Sequence, residues 1–551
     1  MTNPADSLRR QLFTQANPMN RRSLLKAGAG AGLTAAAISG MTFPKSMVAQ
    51  TPAAEIAPKE LSGTAVLVLT GEPQSFQPDF QADDYLWPIA CNIYNSLFSL
   101  DNSFNVIPEL ATAYEVAEDG LSITVNLNPL ATWHDGTPVT SADVKYTLEQ
   151  IVSDTAAVSA GTLGAISTVE TPDDHTAVLV LSQPSASIIG FLSWYAVFIL
   201  PAHIYEGTDW ATNEANQAPI GSGPFKFVSY EAGSSVELEA NAEYFGDGPF
   251  LEKLIYSIIP DANTQVQALL NGEVDFVDGI PSAQVATLEA NPDFGIAPKV
   301  YPSPIYFGFN MAKAPLDNLD VRKAIGMAVD REQILATALS GYGTISDRFY
   351  PSVIEWASNP DAVAPAFDVE GANALLDAAG FPLDGDSRFS IRLLYFTGWP
   401  EVADTATVLK EQFTAIGVDL ELVALEYAAW QEQMEAVDFE LGMLGGFQGP
   451  DPANLALRVG TEGNINYWGY SNPTFDDLLV QGDAGLTQEE RAPIYFEAQE
   501  ILAADVPILQ LVLQTYYSAF TTRLSGVWLD PEDPASGLVG MNRFTLTKLE
   551  G

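Results

Sequence analysis

Glu273 and Asp275, two acids two positions apart, are the pair in this chain that most invites a catalytic reading. Paired carboxylates can share acid and base work across a bond. On a strand, residues i and i+2 share one face. Val274, Phe276 and Val277 supply the apolar set there, so the two acids are expected on a solvated edge. The three histidines, His134, His175 and His203, are scattered without ligand spacing. The single cysteine, Cys91, excludes an intrachain disulfide and a cysteine-built zinc site. Its apolar neighbours read it as a small buried hydrophobe. The glycines of Pro219-Ile220-Gly221-Ser222-Gly223-Pro224-Phe225 lack the spacing of a phosphate loop and run into alternating residues, not a helix. No Ser-His-Asp or Cys-His arrangement is found. The sequence therefore assigns no catalytic residue, no metal ligand and no cofactor.

Those residues must be carried by more than one unit, because 551 residues exceed a single compact core and predict two or three domains. A formal charge of −46 excludes nucleic acid as a partner, since phosphate binding needs a basic patch. Such acidity concerns solubility and salt environment; a saline habitat fits it. Asn20-Arg21-Arg22-Ser23-Leu24-Leu25-Lys26 resembles the twin-arginine export motif. A mild Gly/Ala segment and Lys45 follow, so residues 1–49 read as a leader and the periplasm as the destination. Its removal takes away six basic residues and one acid, leaving the mature chain more acidic still. No later stretch reaches 18 apolar residues, so the mature chain is not expected to span a membrane.

Along the chain, Leu61–Thr70 predicts a first strand, and Tyr85-Leu86-Trp87 opens a helix. Leu121, Ile123, Val125 and Leu127 alternate as a strand, and Trp133-His134-Asp135-Gly136-Thr137-Pro138 reads as a tight turn with Gly136 at positive φ. Thr140 with Asp143 predicts a capping box, as does Thr487 with Glu490, and Asp330 is expected to cap with Gln333 as its partner. The run from 368 to 443 alternates helices and strands, which predicts a mixed sheet flanked by helices.

Several spaced elements agree with one family. Pro108-Glu109-Leu110-Ala111, Asp119-Gly120-Leu121, Trp133-His134-Asp135-Gly136, the Pro219–Phe227 stretch, Gly272-Glu273-Val274-Asp275 and the run Asn310, Pro315, Asp320, Arg322, Ala324, Asp330, Arg331 stand at its spacings. In these the chain resembles the extracellular solute-binding proteins of ABC importers, in the dipeptide, oligopeptide and nickel class called family 5. Asn95 stands where the family has an acid. The resemblance implies an α/β, two-lobed periplasmic-binding-protein fold (type II, large peptide-binder-like) with an inserted subdomain. Carried over, lobe I is 50–95, 218–305 and 518–551, the insert is 96–217, and lobe II is 306–517. It implies a monomer that hands its ligand to an inner-membrane ABC permease complex. A short peptide is the first ligand reading, an oligosaccharide or other neutral solute the second, and a nickel chelate the third. A periplasmic hydrolase and a ligand sensor are the readings from other classes.

The resemblance also points to a site. Gly445–Asn454 resembles the family segment in which an aspartate three positions before an Asp-Pro pair holds a peptide's α-ammonium. Counting back from Asp451 gives Gln448, a neutral amide. Phe447, Gln448 and Asp451 are therefore expected at the ligand, with Tyr427, Trp430 and Trp399 as aromatic walls. Tyr85 and Trp87 are expected to face the cleft, and Tyr516 to close the lobe.

Overall fold

The computed structural model describes residues 56–80, 85–100, 106–154, 157, 159–193, 197–397, 399–446, 448–449, 451–485, 487–526, 544 and 547–549. The expected leader, the bulk of 518–551 beyond 526, and Phe447 lie outside these residues.

Alternating apolar residues make β1 (Thr64–Leu69), whose Ala65, Leu67 and Leu69 are buried. The expected helix follows as Trp87–Ile93, with Cys91 fully buried. β2 (Phe98–Leu100) pairs with β3 (Val106–Pro108). β4 (Ala111–Val116), β5 (Ser122–Leu127), β6 (Ile166–Asp173) and β7 (Thr176–Leu181) form a separate antiparallel sheet in the order β4-β5-β7-β6. Ile123, Val125 and Leu127 point into its core, while Leu121 precedes the strand and is exposed. The helix Ser141–Ser153 begins as expected: the Thr140 N–H donates to Asp143 Oδ2 at 2.7 Å.

The Trp-His-Asp-Gly turn fastens this inserted sheet to the rest. Gly136 has φ +88. The His134 N–H donates to Gly221 O at 2.8 Å, the Gly221 N–H donates to His134 Nδ1 at 3.2 Å, and His134 Nε2 lies 3.0 Å from Gly223 O. Nδ1 accepts, so Nε2 carries the proton. Burial pulls the ring's pKa down to about 4 and keeps it neutral. Glycine is required opposite: a Cβ at Gly221 would sit 1.9 Å from Ile93 O.

The remaining strands build one large mixed sheet. β8 (Phe225–Glu231), β9 (Ser235–Ala240), β10 (Lys253–Ile258) and β11 (Phe276–Val277) join β1 on one side. β12 (Phe294–Phe309) is long, β13 (Gly343–Ile345) short, and β14 (Phe389–Phe396), β15 (Val418–Leu425) and β16 (Leu441–Leu444) form the other side. β17 (Ile508–Thr521) completes the order β15-β14-β16-β12-β17-β11-β1-β10-β9-β8, with β13 paired to β17. The fold is the expected two-lobed α/β architecture. Among the described residues only β12 and β17 run through both halves: β12 pairs β16 over Tyr306–Phe309, and β17 pairs β11 at Ala519 and Phe520.

Two local expectations need correction. Glu273 is exposed, but Asp275 is 2 % exposed and not on a solvated edge. Its carboxylate accepts from the Val66 N–H at 2.9 Å and meets Arg523 at 2.6 Å. The strand begins only at Phe276, so strand alternation does not yet govern Glu273 and Asp275. The Asp330 cap is also completed differently. Its carboxylate accepts from the Gln333 N–H at 3.0 Å, but its own N–H donates to Gln412 Oε1 at 3.2 Å, on another helix.

Candidate functional site

Strand direction points to a candidate site. β1 is parallel to β10 and β11; β11 is antiparallel to β17, which is antiparallel to β12. β1 therefore runs the same way as β12. β16 is antiparallel to β12, and β14 and β15 run with β16. The carboxyl ends of the two parallel trios thus face each other along β12. In open α/β sheets ligands gather outside the carboxyl ends of strands. The loops at those ends are the ones the sequence marks: 70–86 after β1, 397–399 after β14, Glu426-Tyr427 after β15, and Gly445–Asn454 after β16.

Between the facing edges the central ladder breaks. Val300 pairs with Thr515 and Pro304 with Leu513, so Tyr301, Pro302 and Ser303 stand opposite the single residue Gln514. Proline has no N–H to give a ladder, which suits it to a bulge. The loop after β16 docks on this bulge: the Gln448 N–H donates to Pro302 O at 2.7 Å. The Gln448 side chain reaches the other crossing strand, where Gln510 Nε2 donates to its Oε1 at 3.1 Å. Gln510 Oε1 accepts from Ser346 Oγ at 2.7 Å, and its carbonyl accepts from Arg331 Nε at 2.9 Å. Gln448 is 1 % exposed, and its Nε2 is buried with no acceptor.

Trp399 joins this cluster. Its Nε1 donates to Gln514 Oε1 at 3.1 Å, and its ring packs on Gly445, where a Cβ would lie 2.5 Å from the ring. Burial raises the pKa of the nearby Glu401 carboxyl. Tyr516 lies edge-on to Tyr301, centroids 5.6 Å apart, just beside the bulge. Trp399, Gln448 and Tyr516 are thus brought together around one break in the sheet. Tyr427 starts the helix Tyr427–Glu435 at the edge of β15.

Three other expected residues are placed differently. Trp430 is fully buried, with Phe396 at 5.7 Å and Tyr467 at 6.5 Å between ring centroids, so it backs the wall. Asp451 is 6 % exposed and held by Arg491 through two bonds of 2.6 and 2.8 Å. Trp87 is 5 % exposed within the main core, and Tyr85 covers Gly71 after β1. The period of the sequence could not separate a wall aromatic from a core one.

Sequence reasoning missed Gln510 and Gln514. They lie four apart in the same strand, flanking the apolar run Leu511–Leu513, and both are buried. Two amides flanking the apolar run Leu511–Leu513 were the available signal. Arg331 was noted only as one of the family-spaced residues; its Nη2 is buried and unpartnered. Among the described residues no group of three or more His, Cys, Asp or Glu could hold a metal, and no helix is long and apolar enough to cross a membrane.

Residues 105–467 match the pattern of the bacterial extracellular solute-binding proteins, family 5 Middle. The oligopeptide-binding protein AppA of Bacillus subtilis is 28 % identical over 490 residues, covering 85 % of this chain and 90 % of the relative. Heme-binding protein A of Haemophilus influenzae is 27 % identical over 465 residues, covering 80 % and 85 %. Among solved structures, AppA from Bacillus subtilis in complex with a nonapeptide aligns with a TM-score of 0.72 and 26 % identity over 90 % of this chain and 100 % of that one. AgaA from A. tumefacien R10 in complex with agropinic acid aligns at 0.73 and 28 % over 89 % and 99 %.

Proposed function

The chain belongs to the family 5 bacterial extracellular solute-binding proteins, and from that premise we propose that it captures a short peptide between its lobes and delivers it to an inner-membrane ABC import permease. The observation that carries this reading is the facing pair of carboxyl edges, joined by only two strands that run through both halves. Contacts made to both edges at once favour the closed arrangement, which is how a clamp turns binding into a shape the permease can read. Trp399, Tyr427, Phe447, Gln448 and Tyr516 are the proposed contacts, with Tyr85 on the opposing edge. Trp430, Asp451 and Trp87 support that wall from behind.

A neutral oligosaccharide is the second reading. The uncharged Gln448 and the indole of Trp399 favour it, because flat rings stack on sugar faces. A thermal-shift screen of the protein against di- to pentapeptides, oligosaccharides and nickel chelates separates these readings. A ligand at a hundredfold excess over its dissociation constant adds about 2.7 kcal/mol to the folded state. Stabilisation by peptides supports the first reading. Stabilisation by sugars or by nickel chelates alone sinks it.

The relatives are binding proteins, and we assign no catalytic step to any residue here. Extracytoplasmic placement follows from the family. Export by the twin-arginine route, a monomeric state and lobe boundaries inside β12 and β17 (305/306 and 517/518) complete the proposal. Replacing Arg21 and Arg22 by lysine tests the route: retention of the precursor in the cytoplasm supports it, and unchanged export rejects it.

A further inference from the structure

A polar contact joins the insert to the second lobe away from β12 and β17. Ser185 Oγ donates to Asp483 Oδ2 at 2.8 Å, and the Ser187 N–H donates to Asp483 Oδ1 at 3.1 Å. Between them the Ala186 N–H donates to the Asp483 carbonyl at 2.9 Å. Both serines are buried. They lie at the start of the short helix Ser187–Phe191, and Asp483 lies near the end of the helix Pro473–Ala484.

The insert is tied to the first lobe by other bonds. Besides the His134 turn on Gly221, the Phe198 N–H donates to Asp79 Oδ1 at 2.9 Å, and the Ile199 N–H donates to the Asn95 carbonyl at 2.9 Å. The insert therefore travels with the first lobe, and the Asp483 contact spans the two bodies of the clamp. Its bonds are polar, so water can take their place when the bodies part. A formal charge of −46 on the chain opposes the approach of those bodies, and a contact of this kind works against that repulsion.

On its other side Asp483 reaches toward the candidate site. Arg491 Nη2 lies 3.9 Å from Asp483 Oδ1, and Arg491 Nε donates to the Gly482 carbonyl at 2.7 Å. The same guanidinium holds Asp451 by two bonds. One arginine thus touches both the end of the helix that meets the insert and the loop that carries Gln448.

Resting on the clamp reading above, we infer that Asp483, Ser185 and Ser187 form a latch between the insert and the second lobe, made when the clamp shuts and coupled through Arg491 to the loop at the ligand. The latch gives the ligand-free protein a closed population. Ligand contacts to the β16 loop add to that population through the same guanidinium.

The test is a distance measurement by double electron–electron resonance, with nitroxides at Glu170→Cys in the insert and Asp477→Cys in the second lobe. Both positions are exposed, and the native Cys91 is buried. The labelled parent is expected to show a short-distance population without ligand. Asp483→Ala and Ser185→Ala are each expected to shift it to a longer distance, and a random tetrapeptide pool to shift it back. Ser185→Ala alters only the insert, so a loss of packing in the second lobe cannot imitate its effect. A shift in both variants that the pool does not reverse supports the latch and counts against a peptide ligand. A distribution that either variant leaves unchanged overturns the latch, and the clamp stands if the pool still shortens the distance in the parent. One distance in every sample, with and without the pool, overturns both.

Discussion

Asp451 and Arg491 meet through two parallel hydrogen bonds, Nη1 to Oδ2 at 2.8 Å and Nη2 to Oδ1 at 2.6 Å, with both side chains buried. The guanidinium also lies over the Trp356 ring, 5.2 Å from its centroid. The pair fixes the end of the loop that carries Gln448.

Removing one partner should leave a buried charge uncompensated. Arg491→Met is expected to cost about 3–5 kcal/mol, and the second change Asp451→Asn to restore part of it. Urea unfolding of the two single variants and the double variant measures this. Additive losses would contradict the coupling.

Asp79 is fully buried, accepts from the Phe198 N–H at 2.9 Å, and has its Oδ2 without a partner. Burial raises its pKa well above the ordinary carboxylate range. The folded state therefore holds the proton more tightly than the unfolded chain. Its contribution to stability is complete below the unfolded pKa of about 3.9 and is lost as pH rises through the folded value. Asp79→Asn should thus raise the melting temperature more at pH 8 than at pH 5. A variant that melts below the wild type at both values would refute this.

His134 works in the opposite direction. Its folded pKa is about 4, below the ordinary 6.5, so its contribution is present above pH 6.5 and is lost as pH falls toward 4. The loss over that window is about 3 kcal/mol. His134→Gln should flatten the decline between pH 6.5 and 4.5. Denaturant midpoints at three pH values decide it, and an unchanged slope would show that other groups control acid stability.

Trp399 contributes a ring and one hydrogen bond to Gln514. Trp399→Phe keeps an aromatic ring and removes the bond. Ligand affinity is expected to fall about tenfold, or about 1.4 kcal/mol, with a change in unfolding free energy of about 1 kcal/mol or less. Titration and urea unfolding of the same variant separate the two effects. An unchanged affinity would place Trp399 outside the ligand site.

Much of the fold was legible because its signals are local. The boxes at Thr140 with Asp143 and Thr487 with Glu490 formed as read, since a cap needs only neighbours three residues apart. Gly272 and Gly417 end their helices at positive φ for the same reason. Asp275 was misread because a strand period was applied from Glu273, three residues before the strand begins at Phe276. Arg523, which meets Asp275, comes from 248 positions away.

By itself the sequence determined the α/β class, the family and the motif turns, since periodicity and turn chemistry act over a few residues. Only the tertiary structure decided which candidate residues are sealed in the core or paired and which border the broken ladder. Trp399 and Trp430 look alike as aromatics in the same stretch, yet one caps a helix beside the broken ladder and the other is sealed in the core. Asp451 could not be told from a free carboxylate until Arg491, 40 positions on, was seen to hold it. Burial and pairing are set by segments far apart in the chain, and the physics that assigns them operates only once those segments meet.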